Sequence, residues 1–155
     1  MPRVPSDDES LASVRVRLAR SGGTRRLCVR LPADDDLAGV VESGELDALD
    51  LTVGDAVRVT IDREEYHARV DGDSDGRLLR GAYDNRRLAR TPGEGRNRLT
   101  AWLEEGGREE GDVVLLDVLA AGESYGLRLP GERTVYDVRR GPRSSLADIA
   151  SDLDG

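Results

Sequence analysis

Two runs of arginine, almost free of acid, are the residues here whose type and spacing offer a definite chemistry. Residues 14–31 carry Arg15, Arg17, Arg20, Arg25, Arg26 and Arg30 with no Asp or Glu. Residues 77–98 carry Arg77, Arg80, Arg86, Arg87, Arg90, Arg96 and Arg98 against only Asp84 and Glu94. The planar guanidinium fork matches phosphate oxygens and guanine edges. Asn85, Asn97 and Tyr83 lie in or beside the second run and can add polar or stacking contacts. Both runs stand in a chain of net charge −8, with 31 acidic residues concentrated at 34–55, 62–75 and 104–112. Such a charge asymmetry has two physical readings: a nucleic-acid-binding face, or arginines spent on internal pairs with the surplus carboxylates.

Other chemistry finds little material. His67 is the single histidine and Cys28 the single cysteine. A Cys–His nucleophile pair also needs an orienting group and an oxyanion site, which nothing in the sequence marks. One cysteine excludes an intramolecular disulfide and a cysteine-built metal cage. Asp71, Asp73 and Asp75, followed by Gly76, resemble the opening of a calcium loop, but the twelfth position is Ala82 where a bidentate Glu is required. The run is read as a hydrated acidic turn. Asp55 and Asp112 follow glycine at strand entries, where carboxylates cap turns. No catalytic residue, metal or cofactor is assigned, and a non-enzyme is expected.

The elements that must position the arginines are read from a repeat. Val53-Gly54-Asp55-Ala56-Val57 has an echo in Glu110-Gly111-Asp112-Val113-Val114, and the Gly-Asp steps stand 57 positions apart. Each step leads into an apolar strand and then a second strand, marked Tyr66-x-x-Arg69 in one unit and Tyr125-x-x-Arg128 in the other. Residues 14–18 and 27–31 alternate apolar and charged side chains with period two, a β-hairpin with one apolar and one arginine face turning at Ser21-Gly22-Gly23-Thr24. Asp34, Asp35 and Asp36 offer a carboxylate cap for a segment over 37–49 that Gly39 and Gly44 interrupt, giving two short turns or a broken helix. Residues 77–83 read as a strand, and 84–96, with Pro92, Gly93 and Gly95, as a loop. Asn97 caps a helix bearing Leu99, Trp102 and Leu103, and residues 134–138 add a last strand. Ser145-x-x-Asp148 resembles a capping box for a terminal helix with Leu146, Ile149 and Leu153 on one side.

At 155 residues the chain suits one domain. The expected fold is mainly β: a duplicated, pseudo-symmetric six- to eight-stranded barrel with two short inserted helices and a C-terminal helix. Residues 1–10 are read as a flexible tail, 11–139 as the barrel with repeat units at about 25–70 and 77–129, and 140–155 as terminal helix and tail. Phe and Lys are absent, so the core rests on aliphatic residues and every basic residue is Arg. No apolar run approaches the ~20 residues of a membrane span, and no signal-peptide core is present, so a cytoplasmic protein is expected.

The duplicated strand, helix, Gly-Asp, strand unit resembles the double-psi barrel of the N-terminal domain of archaeal AAA ATPases of the valosin-containing type. It also resembles the DNA-binding pseudobarrel shared by plant transcription factors and some restriction endonucleases. The whole chain looks like a haloarchaeal family of unknown function, whose acidity reflects concentrated salt. The first resemblance implies a protein-interaction or adaptor module, for which this chain's own terminal helix and Arg139-Arg140 offer docking elements; the second implies DNA rather than RNA as partner. Nucleic-acid binding through the arginine face is the leading expectation, the adaptor the alternative, and an enzyme the third.

Overall fold

Because strand side chains alternate between faces, Val14, Val16 and Leu18 turn inward together and meet Leu27 and Val29 of the next strand. In the computed structural model these residues lie on β2 (Ala12–Ser21) and β3 (Arg26–Arg30), antiparallel with Leu18 opposite Val29. The structure describes residues 3–5, 11–21, 26–44, 46, 48–74, 76–91, 94–132 and 134–137. The other strands are β1 (Arg3–Pro5), β4 (Val41–Ser43), β5 (Ala56–Ile61), β6 (Glu64–Asp73), β7 (Gly76–Leu79), β8 (Val113–Ala120), β9 (Ser124–Arg128) and β10 (Val135–Asp137). A 3-10 helix spans Asp34–Gly39, α1 spans Arg86–Arg90 and α2 spans Arg98–Glu105.

Strands β2, β3, β7, β6, β5, β9 and β8 follow one another around a ring that closes on β2. The result is a seven-stranded barrel, and closure removes the open edges that would otherwise invite aggregation. All pairings are antiparallel except β5 with β9, which run parallel. Strand β2 is long enough to serve three neighbours: β8 along one edge, β3 and β4 on the other. Valine, leucine and isoleucine fill the interior, joined by Tyr125 and by Leu99, Trp102 and Leu103 of α2.

The Gly-Asp steps are one local device used twice. Gly54 and Gly111 have φ of 99° and 92°, which glycine alone adopts freely. Gly54 N donates to Val70 O and Val70 N to Asp55 O, both at 2.8 Å. Gly111 N donates to Leu18 O at 2.9 Å and Leu18 N to Asp112 O at 2.8 Å. The clamped strands differ: Val70 lies on β6, the hairpin partner of β5, whereas Leu18 lies on β2, distant in sequence from β8. The second tyrosines of the repeat share a neighbour, since Val59 lies opposite both Tyr66 and Tyr125.

Local expectations differ from the structure in four places. Residues 3–5, read as tail, form β1 and pair with β10. The strand read over 77–83 stops at Leu79, and Tyr83 joins β6 only through a bridge to His67. The loop read over 84–96 contains α1, whose cap is Asn85 accepting from Leu88 N at 2.9 Å. Finally, the 3-10 helix starts after Ala33, with Asp34, Asp35 and Asp36 inside its first turn rather than capping it; the segment beyond Gly39 becomes β4. Of the acidic run, Asp71 and Asp73 lie at the end of β6 in the β6–β7 hairpin, Asp73 facing Gly76. The proposed terminal helix lies outside the described residues.

Tyr125 fastens the barrel to the segment before β5: its hydroxyl donates to Leu49 O at 2.5 Å and accepts from Gly122 N at 2.6 Å. Burial pushes its pKa up to about 12. A folded-state value above the unfolded ~10 means that the neutral phenol is favoured by folding, so this stability is full below pH ~10 and falls as pH rises toward the folded value. Urea midpoints are expected to drop between pH 9 and 12, and Tyr125→Phe should start lower at neutral pH and lose less over that range. An equal loss in both proteins would refute this role.

Candidate functional site

Helix α2 is placed by Asn97. Its Oδ1 accepts from Thr100 N at 3.2 Å and its Nδ2 donates to Arg80 O at 2.9 Å, so one side chain caps the helix and holds the end of β7. Gly81 is required there, because a Cβ would lie 2.7 Å from Asn97 Nδ2. With Leu99, Trp102 and Leu103 buried, the opposite side of α2, Thr100, Ala101 and Glu104, forms one wall of an open groove of about 810 Å³. The far wall comes from the ends of β2 and β3, with Arg20, Arg26 and Leu27, and the rims from Arg96, Arg108 and Glu109.

Four guanidinium groups therefore meet two carboxylates in this groove. Arg26 and Arg96 are exposed, and neither has an ion pair among the described residues. Arg108 Nε donates to Gly106 O at 3.1 Å, a carbonyl that leaves its charge unneutralised. Thr100 Oγ1 is enclosed without a hydrogen-bond partner among the described residues. The groove thus joins one arginine run to the other: β2 and β3 supply Arg20 and Arg26, and the segment before α2 supplies Arg96.

The remaining arginines divide. Arg15 pairs with Glu42 at 3.2 Å, Arg30 with Asp73 through two bonds of 2.7 and 2.8 Å, and Arg80 with Asp71 at 3.6 Å. Arg87 pairs with Glu94 at 3.2 Å, and Arg98 grips Asp84 with two bonds of 3.0 Å that hold its carboxyl below the usual range. Arg77 is structural: it donates to Leu51 O at 2.6 Å, Pro32 O at 2.8 Å and Asp34 at 3.2 Å. Asp34 sits below its ordinary pKa mainly because it accepts from Leu49 N, and next because of Arg77. Arg17, Arg86 and Arg90 are exposed, away from the groove, with no ion pair among the described residues. Arg25 lies outside the described residues.

Asn85 and Asn97 are spent on caps and Tyr83 is buried, so none of the three is a free contact. Arg108 is the groove residue that sequence reading missed, hidden in the acid-rich stretch 104–112. Cys28 and His67 do not form a pair: the Cys28 thiol donates to Ala19 O at 3.4 Å, burial raises its pKa, and His67 Nδ1 has no partner among the described residues. Asp112 caps its own turn, its carboxylate accepting from Glu109 N at 2.9 Å. Among the described residues Val53 is the exposed large hydrophobic, and no helix is long and apolar enough to cross a membrane.

Fold and groove together define a small closed β-barrel with an arginine-bearing cleft between a hairpin and a helix. The chain belongs to DUF7112, a family of unknown function, whose profile matches residues 1–153. No curated protein and no solved structure matches it.

Proposed function

We propose that this barrel is a non-enzymatic DNA-binding protein whose groove between α2 and the β2–β3 hairpin takes the phosphate backbone of a duplex. The observation that carries the reading is the convergence of the two arginine runs on one open groove, with Arg26 and Arg96 left unneutralised in a chain of net charge −8. An acidic protein that merely balanced its own charges would pair its exposed arginines with its surplus carboxylates. Duplex DNA fits better than single strands or RNA loops, which are held by stacking on exposed aromatics. Here Trp102, Tyr83, Tyr125 and Tyr136 are buried and Tyr66 is half-buried. In the concentrated salt to which a lysine-free, acidic composition points, the Debye length is only about 3 Å, so contacts must be short-range and shape-fitted.

The test is anisotropy of labelled duplex DNA, single-stranded DNA and RNA titrated with protein across a salt series. Arg26→Ala/Arg96→Ala is expected to weaken duplex binding by roughly tenfold or more and to flatten the log–log salt slope by about 2. Arg15→Ala, already paired with Glu42, should change little. Equal affinities for all three proteins, or no binding at any salt, would refute the proposal.

A further inference from the structure

Three neighbouring strands place three polar side chains in one row outside the barrel. Val57, Val59, Ala68 and Tyr125 face the core, so the alternate residues Arg58, His67 and Ser124 face outward. Arg58 lies opposite His67 across the β5–β6 ladder and opposite Ser124 across the β5–β9 ladder. Side chains in such cross-strand positions start about 5 Å apart. Arg58 is only 6 % exposed and Ser124 only 7 %. Yet neither side chain, nor His67 Nδ1, has a hydrogen-bond partner among the described residues.

The other enclosed arginines show how unusual this is. Arg128, Arg77 and Arg30, with side chains 13 %, 19 % and 21 % exposed, each hold a carboxylate. Arg58 is buried where these are half-buried, and it holds none among the described residues. A guanidinium taken out of water without an anion is strongly disfavoured. Among the described residues the fully enclosed side-chain polar atoms without partners are His67 Nδ1 and Thr100 Oγ1, so the guanidinium of Arg58 and the hydroxyl of Ser124 keep a narrow opening to solvent. Helix α1 packs over β5 and β6 here and brings the exposed Arg86 to the same side. Burial first, then Arg86 and Arg58, hold the His67 imidazole below its ordinary pKa, with Glu65 opposing them.

We propose that Arg58, His67 and Ser124 form a site for one small oxyanion of the phosphate class, separate from the groove. The guanidinium fork supplies the charge and two aligned donors and the hydroxyl a third, while the imidazole, its Nδ1 enclosed, lines the site and senses the charge placed beside it. With so little of Arg58 open, a free phosphate ion or a terminal phosphoryl group reaches it, whereas an internal phosphodiester of a duplex does not.

His67 is the single histidine, so its ring resonances report on the site directly. Sodium phosphate titrated against chloride at constant ionic strength is expected to shift them saturably. It is also expected to raise the imidazole titration midpoint by about one unit, as a roughly tenfold preference of the anion for the imidazolium form requires. Saturation by inorganic phosphate alone assigns the free ion; saturation by a nucleoside monophosphate as well assigns a terminal phosphoryl group. Arg58→Met should abolish the shift, and Ser124→Ala, a milder change, should weaken it several-fold in a folded protein. Arg26→Ala/Arg96→Ala should leave it untouched, which separates this site from DNA binding in the groove. A wild-type protein whose His67 signals move linearly or not at all with either ligand would overturn the proposal. So would an Arg58→Met protein that titrates like the wild type.

Discussion

Asp117→Ala is expected to lower the unfolding free energy by about 3–5 kcal/mol, the cost of leaving a buried charge without its partner. Asp117 is fully buried on β8 and ties three other strands to it. It accepts from the Ser13 hydroxyl of β2, from Arg128 Nε of β9 at 2.8 Å and from the Tyr136 hydroxyl of β10 at 2.5 Å. Removing the carboxylate strands the Arg128 guanidinium, whose side chain is 13 % exposed, with Glu132 O at 3.0 Å and the Ser13 hydroxyl at a long 3.4 Å for compensation. The Tyr136 hydroxyl also loses its acceptor, and burial, the largest cause of its raised pKa and the one that outlasts the carboxylate, opposes its ionising to relieve the site. Asp117→Asn keeps an acceptor and should cost less than Asp117→Ala. Urea unfolding of the three proteins checks this. A loss below about 1 kcal/mol for Asp117→Ala, the scale of an exposed pair, would show that the network does not hold the barrel.

Gly126→Ala is expected to cost about 2–4 kcal/mol, combining overpacking with the loss of a charged hydrogen bond. Gly126 lies on β9, and an added Cβ would clash with Cε1, Cζ and the hydroxyl oxygen of Tyr136. The φ of Gly126 is not in the left-handed region, so alanine meets no backbone strain and the effect is steric. Displacing Tyr136 breaks its bond to Asp117 and frees β10, which pairs only with β1 in the small second sheet. A double-mutant cycle gives the sharper test: once Tyr136→Ala is made, Gly126→Ala should add little, leaving a coupling of about 1 kcal/mol or more. Additive losses would mean that glycine is needed there for a different reason.

Neither of these residues announced itself in the sequence. Asp117 stands in Leu115-Leu116-Asp117-Val118, where alternation makes it an outward residue on a strand, and outward residues are ordinarily solvated. It is buried because the barrel wall and Tyr136 of β10 enclose it, and β10 is a short strand held by pairing between residues 3–5 and 135–137. Arg58, flanked by Val57 and Val59, escaped notice for the same reason, and the cover there includes α1. Among the arginines, the two runs were visible as charge asymmetry. Which members are free was not, because Arg30, Arg77 and Arg98 find their acceptors 43, 26 to 45 and 14 positions away.

Sequence alone determined the mainly β class, the β2–β3 hairpin, the cap at Asn97 and the double use of the Gly-Asp step. These are encoded in period, turn chemistry and φ requirements within a few residues. Only the tertiary structure decided the seven-strand closure, the parallel β5–β9 pairing, the groove that unites Arg20, Arg26, Arg96 and Arg108, and the bare row of Arg58, His67 and Ser124. The physical reason is register. Alternation says which face a side chain takes, but its neighbours on that face, and whether water reaches it, depend on strands brought together from distant parts of the chain.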